Sequence, residues 1–136
     1  KDQVQLTEFL KAAQTWEKTL TSMEGMVQDS KAKQLLGYML TKSKEHYQTI
    51  SKHLNTGQKV SQGQQTESGG QRTQLSDHDA LKLTVKEIKN FASVIHTSIL
   101  ETRSEGLSRD YMTILGDTYS KHKLLCDYME EKGFLE

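Results

Sequence analysis

Four amphipathic helices, paired into two antiparallel hairpins with a long polar crossover between the second and third, are the architecture this sequence predicts. Three observations carry that prediction. Apolar residues recur at three- and four-residue steps in four separate stretches. The chain of 136 residues has no proline, so nothing interrupts those stretches from within. Residues 56–74 break the pattern with six Gln, four Gly and a single aliphatic residue, Val60.

The first helical face is Leu6, Phe9, Leu10, Ala13, Trp16, Leu20, Met23 and Val27. Asp29 or Ser30 can cap a second helix, because a short polar side chain there accepts from a free amide of the first turn. Its stripe is Ala32, Leu35, Leu36, Met39, Ser43, His46, Tyr47, Ile50 and Leu54. Order resumes at Ser76-Asp77-His78-Asp79, which has the form of a capping box with the shorter acid. The third stripe follows as Leu81, Thr84, Val85, Ile88, Phe91, Ala92, Ile95 and Ile99. Gly106 lies in the next turn. The fourth stripe is Leu107, Tyr111, Ile114, Leu115, Thr118, His122, Leu125 and Met129, with Gly133 as a C-terminal stop. All 136 residues are expected to form a single domain: one hairpin over about 3–55, a mobile crossover over 56–75, and a second hairpin over about 76–133.

Connection lengths bear on topology. A few residues join the helices within each hairpin, which makes each pair antiparallel. The crossover of about 20 residues can extend to roughly 60 Å. A helix of about 26 residues is only about 39 Å long. The crossover is therefore long enough to return along the bundle and set the third helix parallel to the second, the ferritin-like arrangement.

Composition excludes several function classes. Eighteen basic and eighteen acidic residues cancel and are interspersed, so there is no electrostatic footprint for nucleic acid. No apolar run approaches the roughly 20 residues of a membrane span. Cys126 is the single cysteine, which excludes an internal disulfide. Phosphate-binding loops, nucleophile elbows and HExxH zinc motifs are absent from the sequence.

The stretch Lys44-Glu45-His46 poses the sharpest chemical question, because a mid-helix His is how di-iron bundles present half of a Glu-x-x-His pair. The position three before His46 is Ser43, and three before His122 is Tyr119. Counterpart positions on the first helix of each hairpin are Ala13 and Lys89. None is an acid. His46 and His122 are therefore expected as buried polar groups bonded to Tyr47, Tyr119, Ser43 or Thr118, with no metal and no cofactor. Should a metal bind, His46 and His122 are the residues to suspect. His53, two turns from His46, is about 10 Å away along the axis and too far to share an ion. Cys126 and His122, four residues apart, have the spacing of a nucleophile and base, but a small hydrophobe at Cys126 is the expected role. The five Met residues are expected as core filler.

Residues 75–135 resemble the spore coat protein F family of endospore-forming bacteria. The resemblance is carried by a Lys of the third helix (Lys86 or Lys89), Ile99-x-Glu101, Leu107-x-Arg109, and the closing His122-x-x-Leu125-x-x-Tyr128-Met129-x-x-Lys132-Gly133-Phe134. Phe134 stands where the family usually has Trp. The first half, from Phe9 to Leu54, is similar to a ferritin-like hairpin of the rubrerythrin kind. These resemblances imply a ferritin-like bundle with a place in the spore coat or another structure of the sporulating cell. Together with the missing ligand acids, they lead to the expectation of a non-enzymatic structural or interaction protein whose partners are other spore coat or sporulation proteins, or a second copy of itself. The alternative is a metal-binding or redox protein with unconventional ligands around His46 and His122. Tyr128, Phe134 and Leu135 are the expected docking edge, unless Phe134 closes the end of the bundle.

Overall fold

The computed structural model describes residues 2–54 and 74–135. The expected crossover over 56–75 lies outside them, apart from Gln74 and Leu75. Four helices account for nearly all of the described chain: α1 (Asp2–Met26), α2 (Ser30–Ser51), α3 (Asp77–Glu101) and α4 (Glu105–Glu131).

Each boundary has a local chemical cause. Asp29 caps α2, its carboxylate accepting from the Ala32 amide at 3.1 Å. Ser76 caps α3 by accepting from the Asp79 amide, and Ser104 caps α4 by accepting from the Leu107 amide. The far end of α4 closes with a Schellman motif. Gly133 adopts φ +74°, its amide donates to the Glu130 carbonyl, and the Phe134 amide donates to the Met129 carbonyl. Gly133 is thus the expected stop.

Hydrogen bonds between helices fix the topology. Asp77, at the start of α3, accepts from the amides of Gln28 and Asp29 in the α1–α2 turn. At the other end Gln5 of α1 donates to Ser98 of α3 at 2.7 Å. So α1 and α3 are antiparallel, and α3 begins at the end where α2 begins. Tyr128, near the end of α4, donates to Asp29 at the start of α2, which makes α2 and α4 antiparallel as well. The second and third helices run parallel, the arrangement that the length of the crossover allows. Each helix packs against two others: α1 on α2 and α3, and α4 on α3 and α2.

The seven stripe residues of α1, and Val27 just beyond its end, are all buried. Phe9, Phe91 and Tyr111 meet at the centre, with ring centroids 5.6 Å apart for Phe9–Phe91 and 4.8 Å for Phe9–Tyr111. Trp16 stacks on Phe91 at 6.2 Å. Interleaved rings bury large apolar area in geometry that favours tilted contacts, and here they join α1, α3 and α4. Met23, Met26, Met39 and Met129 are buried as expected, whereas Met112 is 58% exposed and fills no core.

Candidate functional site

Of the buried polar residues, Thr84 and Ser98 lie on α3, and the other three lie on α2 and α4. Ser43 and Thr118 are buried, and so is Lys121, at 3% exposure. Thr118 satisfies its hydroxyl by donating to the Ile114 carbonyl one turn back. His46 is half-buried, and its Nε2 lies 2.6 Å from Asp117 Oδ2. The Lys121 ammonium reaches the same oxygen from the other side at 3.1 Å. One carboxylate oxygen therefore joins an imidazole of α2 to an ammonium of α4.

Burial pushes the His46 imidazole below its ordinary range, and the hydrogen bond to Asp117 offsets only part of this. Burial also raises Asp117, but hydrogen bonds from His46 and Lys121 outweigh it and hold the carboxyl below the usual range. Lys121 is pushed down by burial, with Asp117 opposing. The directions for Asp117 and His46 favour an ionised carboxylate and a neutral imidazole whose Nε2–H donates to it. The 3.1 Å contact with that carboxylate favours the charged form of Lys121 against its burial. A second pair repeats the first. His53 Nε2 lies 2.7 Å from Asp110 Oδ2. His46 lies on α2 and His53 in the turn just beyond its end, seven residues on, while the two aspartates are seven apart on α4 in opposite order, as antiparallel packing requires.

Several expected partnerships resolve differently. None of Tyr47, Tyr119, Ser43 or Thr118 holds His46 in the observed bonds. Tyr47 accepts from Gln14 instead, and Tyr119 meets His96 at 2.8 Å. His122 does not join His46. It turns toward Cys126, whose Sγ is 3.6 Å from Nε2. The α4 counterpart of His46 is Lys121, one residue before His122, so Thr118-x-x-Lys121 matches Ser43-x-x-His46 in spacing, with Ser43 and Thr118 both buried. The same one-residue shift brings Ile88, buried, in place of Lys89, exposed, on α3. Cys126 is half-buried, and its thiol is pushed up by burial with Lys89 opposing. A thiol shifted upward is a poor nucleophile.

A ferritin-like di-metal centre needs a Glu from each of two helices and Glu-x-x-His from each of the other two. The residues present do not fit it. Ala13 and Ile88 are apolar, Ser43 and Thr118 are alcohols, and Lys121 brings a positive charge where a metal would sit. Among the described residues, no three His, Cys, Asp or Glu side chains come within reach of one ion.

The expected docking edge is partly internal. The Tyr128 ring is buried at 5% exposure, and its hydroxyl donates to Asp29 Oδ2 at 2.6 Å. Burial and that bond push the Tyr128 phenol up, while the same bond, first among its causes, pulls the Asp29 carboxyl down. Phe134 stacks on His78 with centroids 5.0 Å apart and packs against the core. Leu135 is 44% exposed. Tyr128 ties the end of α4 to the α1–α2 turn and leaves little ring surface for a partner.

Comparison with solved structures finds a two-domain protein from Anabaena variabilis that contains DJ-1/ThiJ/PfpI-like and ferritin-like domains, with a TM-score of 0.82 at 15% identity. The match covers 99% of this chain and 37% of that one. The fold is ferritin-like. At that identity the likeness extends to the fold alone. No family model and no curated protein matches the chain.

Proposed function

We propose that the protein is a non-enzymatic structural or interaction component of the spore-coat type, a ferritin-like bundle that acts through its outer surface. The observation that carries this reading is the replacement of the ligand set. Ala13, Ser43, Ile88, Thr118 and Lys121 occupy five of the six ligand positions, none of the six is a carboxylate, and His46 is the one imidazole that remains. The resemblance of residues 75–135 to the spore coat protein F family supplies the setting, with coat or sporulation proteins, or a second copy of the chain, as partners.

The exterior offers apolar surface for such a role. Leu100 is 85% exposed and Val4 70%. An open groove of about 800 Å³ between α1 and α3 is lined by Val4, Phe9, Ala12 and Val94 and edged by Glu8 and Glu101. Exposed apolar patches of this kind mark contact surfaces more often than isolated apolar residues do.

A fluorescent fusion produced during sporulation of an endospore-forming host tests the proposal. A ring around the forespore is the expected result. Uniform fluorescence in the mother cell, persisting with the fusion moved to the other terminus, refutes the coat assignment. Elemental analysis of the purified protein tests the non-metal half. Stoichiometric Fe, Mn or Zn that disappears in His46→Ala or His122→Ala would favour the metal-binding alternative.

A further inference from the structure

We infer that the Lys121 ammonium takes the electrostatic place of a metal ion in this bundle, joining α2 to α4 through Asp117 and His46. In a ferritin-like metal centre, positive charge at the middle draws together anionic donors from separate helices. Here the positive charge is covalently part of α4. Lys121 is 3% exposed, a degree of burial that lysine reaches almost only when paired. Its partner Asp117 is one turn back on the same helix, so the ion pair forms within α4. The oxygen that binds Lys121 also accepts from His46, and this extends the bond to α2. Lys42 and Glu45 of α2 act on the same cluster, but they pair with each other at 3.3 Å and sit nearer to solvent.

The arrangement accounts for two features that otherwise look unrelated. The carboxylates of the usual ligand set are dispensable because one internal cation requires only one internal anion. The inward residue of α4 is Lys121 rather than His122 because its long stem lets the ammonium reach Asp117 from a core position. It follows that the seam between α2 and α4 closes without metal and withstands chelators. The inference concerns what fills the interior. It stands or falls separately from what the exterior binds.

A double-mutant cycle with Asp117→Asn and Lys121→Met tests it, read by melting temperature and by amide hydrogen exchange in α2 and α4. Asp117→Asn strands a buried ammonium and is expected to lower the melting temperature by about 5 °C or more. The double variant is expected to recover most of that loss, with exchange changes confined to the α2–α4 seam. Additive single effects would overturn the inference. Should Lys121→Met not fold, Lys121→Gln with Asp117→Asn gives the same coupling. Zinc titration forms the second arm. The unmodified protein should show no melting shift with Zn²⁺ or with EDTA. Lys121→His, which adds an imidazole beside Asp117 and His46, should bind Zn²⁺ at least about tenfold more tightly than the unmodified protein. Stoichiometric Zn²⁺ on the unmodified protein, or no gain in Lys121→His, would overturn it.

Discussion

Asp117 carries much of the polar interior, because it accepts from His46 of α2 and Lys121 of α4 through a single oxygen. The His46 shift has a defined consequence for stability. Burial holds its folded pKa below the ordinary value of about 6.5, so the unfolded chain takes up the proton first. The contribution is complete above about pH 6.5 and is lost as pH falls from there toward the folded value. Thermal melts should therefore show stability declining as pH falls below about 6.5, with a shallower decline in His46→Gln. A flat profile in both proteins would show that His46 titrates normally. Phe9 gives a separate residue-scale prediction. It is 1% exposed and touches both Phe91 and Tyr111, so Phe9→Ala should cost about 3–5 kcal/mol in denaturant unfolding.

The helices themselves rest on local chemistry that the sequence displays. Ser104 caps α4 through the Leu107 amide, and Ser104→Ala should cost about 1 kcal/mol. Gly116 lies mid-way along α4 with open space where a Cβ would project. Gly116→Ala should therefore stabilise by about 0.5–1 kcal/mol, through helix propensity and the entropy of the unfolded chain. Gly133 behaves oppositely. Its positive φ penalises any Cβ, and Gly133→Ala should destabilise by about 1 kcal/mol in the same measurement. The caps at Asp29 and Ser76 and the stop at Gly133 were all legible, because a cap is decided by neighbours within four residues. The Asp77 carboxylate was not legible as a partner of the α1–α2 turn, since its acceptors' donors lie 48 and 49 residues away.

At the scale of the whole molecule, parallel α2 and α3 put the start of α2, the start of α3 and the end of α4 at one end of the bundle. That end is held by Asp77, Asp29 and Tyr128, and Phe134 stacks on His78 beside them. Truncation after Lys132 removes this stack and the Phe134 amide bond to Met129. It should lower the melting temperature, and sedimentation should show no change in mass if Phe134 only closes the bundle. A change in mass at an unchanged melting temperature would instead mark the C-terminal edge as a docking surface. The His–Asp ladder could have been anticipated from its matched seven-residue spacings, but only after α2 and α4 were known to face each other.

Apolar periodicity and caps determined four helices and two hairpins, and the length of the polar connection allowed the ferritin-like path without fixing it, because these depend on interactions that are local or set by chain length. The tertiary structure decided which helical rotation each element adopts. A turn of one residue, about 100° on an α-helix, sends Lys121 inward and His122 aside. The same packing chose Asp117 over nearer hydroxyls as the partner of His46, 71 residues away. Side-chain identity along one helix does not encode that choice, since it depends on how neighbouring aromatic rings fill the centre and how the four helices settle around them.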